Sequence, residues 1–467
     1  MIFDLFGKNV HHYPTLPSLA FVIFRSNFMT DENIPQLSGQ IAKDIRQSYT
    51  GGAVDMYIPF NDENTEVFCY DVNALYPSVM KDSLMPIGKP TLFEGNIRAI
   101  DPNAFGFFFC NITAPQNLNE PILQTHVKTE DGVRTIAPLG QWSDMIFSKE
   151  MDNAVKLGYQ FEILWGYTFE SKNIFKNYVD TLYNLRSEYP RSHPLNLITK
   201  LLSNSLYGRF GMEDSFSTIE IIDRNKFFKN IDKFSDNNTK FVELGDKIMV
   251  IYRTHQAEVN TLLDGSKQTH NVSIPIASAI TAYARILMSY FKNNPNFNLY
   301  YSDTDSGFFD KPLPDHLVDS KALGKMKLEN ICKKAIFIAP KVYLLETKEN
   351  KLIHKVKGLN HNIDLNLKDF EELLFKESFI KKLQTKWRKS LSDGHIKVLQ
   401  ELYTIKITDN KRKLIYDNNN KLIKTVPYII NRDKEIFNKF IDIISSIFNS
   451  KICILILRKI LSAKILL

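Results

Sequence analysis

Cysteine is scarce. The four in 467 residues, Cys69, Cys110, Cys332 and Cys453, lie far apart and form no CxxC pair. That argues against a zinc module or a disulfide framework and fits a reducing compartment, with the thiols as small core residues. The N-terminus MIFDLFGKNVHHY has neither a basic stretch leading into a long apolar run nor an Arg- and Ser-rich amphipathic presequence. No import or secretion signal is read there, so the chain is expected to be made where it works. Long uncharged apolar runs are missing too: the apolar end SKICILILRKILSAKILL, 450–467, is interrupted by Arg458, Lys459 and Lys464. It falls well short of the roughly 20 residues of a membrane span and reads as a docking helix or a frayed end, so no membrane partner is expected. No internal repeat is evident, and DNNNK at 417–421 reads as a turn.

What remains is an ordinary globular composition, 44% hydrophobic and 24% charged, long enough for about two to four domains. The net charge of +7 is polarised: residues 311–467 hold 32 basic against 17 acidic residues, and residues 1–310 hold 27 against 35. A basic C-terminal third suits contact with a polyanion through phosphate neutralisation. An A/T-rich coding bias also inflates lysine, but it would not spare the first 310 residues.

Three stretches carry chemistry. In YYSDTDSGFFD, 300–310, aromatic flanks favour two short strands and DTD favours the turn between them. Two carboxylates, Asp303 and Asp305, then sit at one hairpin tip, where their repulsion calls for a cation or a basic partner. A solvated Asp-rich turn would look the same. In EVFCYDVNALYPSVM, 66–80, an apolar strand runs into Asp71 and Pro77 sits where a helical turn can begin. A carboxylate at a strand end can be held rigidly within reach of substrate, although Asp is also common where any strand turns. In LITKLLSNSLYGRFGM, 197–212, Ile198, Leu201, Leu202, Ser205 and Leu206 follow helical periodicity, with an end expected near Gly208. Lys200, Asn204 and Tyr207 then share one face. A lysine there can hold a phosphate and an aromatic can stack on a base, while a surface helix with a snorkelling lysine and a half-buried tyrosine gives the same spacing.

In this order the segments resemble the motifs of family B DNA polymerases: DxxxLYPS at 71–78, KxxxNSxYG at 200–208 and YxDTDS at 301–306. Long inserts between motifs, YTGG at 49–52 and KVY at 341–343 resemble the protein-primed branch, which serves linear plasmids of fungal and plant mitochondria, some phages and adenoviruses. LGKMKLE (323–329), HKVKG (354–358) and TDNKR (408–412) look most like the mitochondrial linear-plasmid members. The resemblance runs from about residue 15 to about residue 430.

That resemblance implies an α+β right-hand polymerase fold: a palm with an antiparallel sheet, helical fingers, a thumb and two inserts. It implies a remnant of an exonuclease domain and linker at 1–48, a first palm segment at 49–114 and an insert engaging priming protein and template at 115–169. Fingers would follow at 170–212, a second insert for strand displacement and processivity at 213–270, palm with the DTD hairpin at 271–360, thumb at 361–430 and an unmatched apolar tail at 431–467. Residues 213–270 themselves read as strands and turns.

The implied activity is DNA-directed DNA polymerisation by two metal ions, Mg²⁺ with Mn²⁺ as an alternative. Asp71, the Val72 carbonyl and Asp305 would hold the ions, with Asp303 in support. Lys200 and Arg186 would bind the triphosphate, Asn204 would lie near the sugar, Tyr207 would pack on the incoming pair and Tyr76 would exclude a 2′-hydroxyl. Tyr301, Thr304, Lys341 and Tyr343 would lie at the primer end, Lys357 and Gly358 near the duplex, and Tyr49, Gly51 and Gly52 near the template. Primer–template DNA, dNTPs and a terminal priming protein are the implied partners, for a monomer encoded and working in the mitochondrion.

One departure stands out. Only 48 residues precede Tyr49, and among them Asp4, Asp31, Glu32 and Asp44 form no DxE pair. A 3′–5′ exonuclease activity is therefore expected to be absent, the chain being a truncated reading frame or one part of a split gene. A weakly active DNA-binding remnant of such an enzyme is the competing reading. RNA polymerase or reverse transcriptase chemistry on a similar palm is disfavoured by Tyr76 and the Lys200 face. If the basic third grips duplex phosphates, primer–template affinity will fall linearly with salt on log–log axes, with a slope of about −0.9 per phosphate contacted; a flat titration would reduce the lysine excess to codon bias.

Overall fold

The computed structural model describes residues 2–13, 15–29, 33–129, 132–212, 217–229, 231, 239–253, 272–390, 394–407 and 411–431. The aromatic and β-branched runs that flank the aspartates become strands. Seven of them form one antiparallel sheet in the order Val54–Met56, Leu299–Asp303, Ser306–Phe309, Val67–Val72, Met326–Ala339, Val342–Thr347, Leu352–Val356. Segments more than 200 residues apart in sequence are thus knitted together, and the DTD hairpin lies in the middle beside the strand that carries Asp71. As expected from the sequence, the turn falls at Thr304 and Asp305.

Side chains alternate across the sheet. Tyr70, Val72 and Phe309 face the main core, which holds the helix Ile274–Ser289, and Leu299 joins them because the register shifts at a β-bulge between Leu299 and Tyr301. Val67, Cys69, Tyr301 and Phe308 face a second core with Phe337 and Leu345. Helix Ile274–Ser289 is apolar nearly all round, as a fully enclosed helix must be, and packs against Leu75–Asp82, Gly39–Gln47 and Pro194–Phe210. The three described cysteines, Cys69, Cys110 and Cys332, are buried and unpaired by disulfide; Cys453 lies outside the described residues.

The lysine-bearing helix spans Pro194–Phe210, with Pro194 in its first turn and His193 Nδ1 accepting from Leu195 N at 3.2 Å. It passes through Gly208, where an end was expected, because Gly208 has open space around it and no positive φ. The demanding glycine is Gly211, where a Cβ would lie 2.3 Å from Tyr49 Oη. Antiparallel to this helix in sequence order comes Lys176–Glu188, which packs on it. Residues ahead of Tyr49 are part of the same core. Thr15 Oγ1 accepts from Ser18 N to start helix Leu16–Asn27, and the fully buried Phe24 sits among Phe175, Tyr178 and Phe210.

A second sheet takes the order Ile429–Ile430, Leu139–Phe147, Gly106–Thr113, Gln160–Lys172, Met85–Glu94. It joins strands from both sides of residue 114, so strand pairing runs across the boundary drawn there from sequence. In the region expected to be strands and turns, Ser217–Asp223, Lys240–Leu244 and Lys247–Arg253 form a three-stranded sheet, and the short helix Arg224–Lys229 is an addition. Beyond residue 360 come the capped helix Leu367–Leu373, the long hairpin Phe379–Ser390 with His395–Lys406, and a small hairpin turning at 417–421 as the sequence indicated. The apolar tail, 432–467, and Asp31 and Glu32 lie outside the described residues. Removing the Phe24 ring opens a cavity in a fully packed aromatic cluster, so Phe24→Ala should cost about 3–5 kcal/mol in chemical denaturation; a change under about 1 kcal/mol would show that the N-terminal helix does not support the core.

Candidate active site

Strand register builds the centre. Ser306 pairs with Asp71, and Asp303 pairs with Ser306 across the hairpin. Val72 N donates to the Asp305 carbonyl at 2.8 Å, tying the turn to the neighbouring strand end. Thr304 takes a left-handed φ of 59°, a strained conformation for a β-branched residue, which lets Asp305 N reach the Asp303 carbonyl at 2.7 Å. Asp71 lies close enough to Asp305 to feel its charge. Burial first, then the Asp305 and Glu329 charges, push Asp71 up to about 7 against the opposing Lys327 and Lys200. Burial likewise raises Asp305, with Asp303 adding to it and Lys341 opposing.

Asp303 is engaged elsewhere. Lys341 Nζ donates to its two oxygens at 2.8 and 2.7 Å, and Thr304 Oγ1 donates to Oδ1 at 3.2 Å. Tyr301, fully buried, accepts from Lys341 N at 2.8 Å and stacks on Phe337. Among the described residues no three His, Cys, Asp or Glu side chains converge as a ready metal cluster. The donors on offer are the Asp71–Asp305 pair with Asp303 beside it, and their mutual repulsion is what a divalent cation would relieve.

The YTGG segment abuts this turn. A Cβ on Gly52 would lie 2.6 Å from Thr304 Cγ2, so only glycine lets the two backbones approach so closely. Thr304 N donates to the Ala53 carbonyl at 2.9 Å. Gly51 is open to solvent, and Tyr49 is turned against Gly211. Holding the segment in place is an ion pair absent from the sequence reading. Arg285 meets Glu150 through two bonds of 2.7 Å, both side chains being under 10% exposed, and Arg285 Nη1 donates to the Thr50 carbonyl at 2.6 Å. Its one signal in sequence is an arginine inside the otherwise apolar helix ITAYARILM.

On the other side of the centre Tyr76, from helix Leu75–Asp82, stacks on Tyr207, with centroids 4.0 Å apart and planes 18° apart. Lys200 and Asn204 are exposed on the same helix as Tyr207. Arg186 is half-buried in the last turn of the neighbouring helix, where its carbonyl accepts from Asn196 Nδ2 at 2.9 Å. A cleft of about 410 Å³ opens from Asp303 along Lys341, Tyr343, Lys355 and Lys357 to Gly358. Its far side is the run from His354 to His361, which the long hairpin supports: Tyr403 Oη bonds the Lys357 carbonyl and Gln384 Nε2 donates to the Gly358 carbonyl at 3.1 Å. Gly358 has a φ of 87° with the Tyr403 ring against it. The structure therefore brings most of the predicted residues to the Asp71–Asp305 turn, the Tyr76–Tyr207 stack and the Lys341 cleft, while Arg186 is tied only to Asn196 on the neighbouring helix.

Comparison with known proteins gives this arrangement a family. The model for type B DNA polymerases of organelles and viruses matches residues 1–297. A probable DNA polymerase of Neurospora intermedia is 37% identical over 412 residues, 85% of this chain and 40% of that protein, and one of Ascobolus immersus is 34% identical over 443 residues, covering 94% and 36%. The chain belongs to the organellar and viral type B DNA polymerases. It spans about 40% of the length of the curated fungal relatives it matches. The DNA polymerase of Bacillus phage phi29 is 24% identical over 329 residues, 66% of this chain and 50% of that protein. The fold likeness runs further: phi29 DNA polymerase solved with single-stranded DNA superposes with a TM-score of 0.62 at 20% identity, over 87% of this chain and 69% of that one. The same enzyme solved with primer-template DNA and incoming nucleotide substrates gives 0.60 at 20% identity, over 84% and 68%. The architecture is the right-hand polymerase fold.

For this type B chain the raised carboxylate has a thermodynamic sign. The folded state holds the Asp71 proton more tightly than the unfolded chain, so its contribution to stability is present at acid pH and is lost as pH rises through about 7. Without metal, Asp71→Asn should therefore melt higher than wild type at pH 8, the gap should shrink as pH falls below about 7 and close only near pH 4, and divalent cations should raise the melting point of wild type alone. Equal melting points at every pH would show that Asp71 carries no strained charge.

Proposed function

We propose that the chain is a DNA-directed DNA polymerase that extends a primer 3′ end, protein-primed, on a linear plasmid-like element in the mitochondrion. Family membership and fold support the reaction class. The observation that carries it is the Ser306–Asp71 pairing, which sets Asp71 and Asp305 at adjoining strand ends where two carboxylates repel. Asp71, Asp305 and the Val72 carbonyl are the groups suited to hold divalent cations, with Asp303 alongside. Bound Mg²⁺, or Mn²⁺ in its place, would activate the primer 3′-hydroxyl and neutralise charge on the attacked and leaving phosphate oxygens.

The chain's own side chains do the positioning. Lys200 and Arg186 bind the triphosphate of the incoming dNTP, Asn204 lies at its sugar and Tyr207 packs on the nascent pair. The Tyr76 ring closes the floor of that slot and leaves no room for a 2′-hydroxyl. Tyr301, Thr304, Lys341 and Tyr343 hold the primer end, Lys357 and Gly358 line the duplex path, and Tyr49, Gly51 and Gly52 guide the template. The inserts offer a surface to a terminal priming protein, and the polymerase acts as a monomer. No 3′–5′ exonuclease site is proposed among the described residues ahead of Tyr49: Asp44, the buried carboxylate there, already accepts from Gln40 Nε2 and Tyr167 Oη, each at 2.7 Å.

Primer extension with Mg²⁺ and dNTPs tests the reading. Asp305→Asn should reduce the rate by more than about tenfold, which is about 1.4 kcal/mol of barrier, with primer–template binding retained. DNA binding without extension in the wild type would leave a DNA-binding piece instead of an enzyme. Tyr76→Val should raise ribonucleotide incorporation several-fold with a smaller effect on dNTP use, measured by single-nucleotide insertion; unchanged discrimination would place the sugar gate on another residue.

A further inference from the structure

The carbonyls of the YTGG segment are claimed by side chains from two distant parts of the chain. Arg285 takes the Thr50 carbonyl at 2.6 Å and lies 3.3 Å from that of Gly51. Gln124, buried, donates its side-chain amide to the Gly51 carbonyl at 3.1 Å. Gln124 sits at the root of the hairpin Thr125–Thr129 with Gly132–Ile136. That root is itself fixed: Thr125 Oγ1 donates to Asp144 Oδ2 at 2.7 Å, on the strand Leu139–Phe147 of the five-stranded sheet. From Gly51 the chain runs through Gly52, pressed against Thr304, to Ala53, whose carbonyl accepts from Thr304 N at 2.9 Å. Thr304 holds the strained turn between Asp303 and Asp305.

We infer that Gln124 is a positioning residue for the DTD turn, setting the Asp303 and Asp305 carboxylates through Gly51, Gly52 and Ala53. The inference rests on the polymerase reading and adds to it a link between the first insert and the metal-binding turn. The physical ground is that Thr304 occupies a left-handed conformation that its own sequence disfavours. Such a turn persists where its surroundings over-determine it, and the surroundings here are the Ala53 carbonyl and the glycine pair that Gln124 and Arg285 hold. The insert hairpin is thus coupled to the turn through a run of three residues, Gly51 to Ala53, and a load on the hairpin reaches the carboxylates.

The variant that isolates the bond is Gln124→Met, similar in length and without the donor. Loss of one hydrogen bond at the support should weaken Mn²⁺ binding, measured by calorimetry without DNA or nucleotide, by about three- to tenfold. kcat for primer extension should fall by a like factor, with the dNTP KM within about twofold and the thermal midpoint little changed. Val133→Ser at the exposed tip of the same hairpin should alter neither quantity. Gln124→Ser, read the same way, serves if the methionine variant does not fold. Unchanged Mn²⁺ affinity and kcat would overturn the inference, as would a loss that follows a fall in thermal midpoint. If wild type binds Mn²⁺ but does not extend primers, the proposed function fails while the calorimetry still decides the role of Gln124.

Discussion

The pairing of Val67–Val72 with Ser306–Phe309 is the constraint on which the rest depends. It sets Asp71 opposite Ser306 and so brings together two carboxylates that would otherwise move apart. Each is more costly to ionise there than in water, because burial removes solvent before the neighbouring charge adds its repulsion. Only a sheet fixed on both sides can hold such an arrangement. One side is the helix Ile274–Ser289 and the main core; the other is the aromatic packing of Tyr301, Phe308, Phe337 and Tyr343. The rigidity of that layer is what the site draws on.

The buried Arg285–Glu150 pair belongs to the same logic. Two desolvated charges contribute little net stability, since their mutual attraction is offset by the hydration they give up, yet removing one partner is strongly destabilising. What the pair supplies is direction. With Glu150 fixing the guanidinium, its Nη1 is aimed at the Thr50 and Gly51 carbonyls, and the YTGG backbone is held against Thr304. The Lys341 ammonium plays the corresponding electrostatic part at Asp303, where it offsets one of the three clustered negative charges.

The Tyr76–Tyr207 stack shows how the two halves of the site meet. One ring comes from the helix that follows Asp71 and the other from the helix that carries Lys200. Their contact joins helix Leu75–Asp82 to helix Pro194–Phe210 through two flat apolar faces whose hydroxyls remain polar. Lys200 is exposed on the same helix as Tyr207.

Much of the site was legible because it is written locally. Alternating aromatics around DTD specify a hairpin, the apolar run into Asp71 specifies a strand end, and 3.6-residue periodicity puts Lys200, Asn204 and Tyr207 on one face; each signal needs only neighbours within a turn or a strand. The motif order then sufficed to indicate the family. Tertiary structure decided what depends on partners far away in sequence. That a side chain would crowd Tyr49 at Gly211 but meet open space at Gly208 follows from the Tyr49 ring packed against the former. That Asp303 is held by Lys341 while Asp71 is brought beside the turn at Asp305 depends on long-range strand pairing. Arg285, Glu150 and Gln124 carried no local pattern, because an ion pair spanning 135 residues and a side-chain bond spanning 73 leave no periodicity to read. The sequence by itself determined the motifs and so the family, since residue type and short-range spacing suffice for that; the tertiary structure alone decided which carboxylates are brought near one another and what supports them, since burial and long-range pairing exist only once the chain is folded.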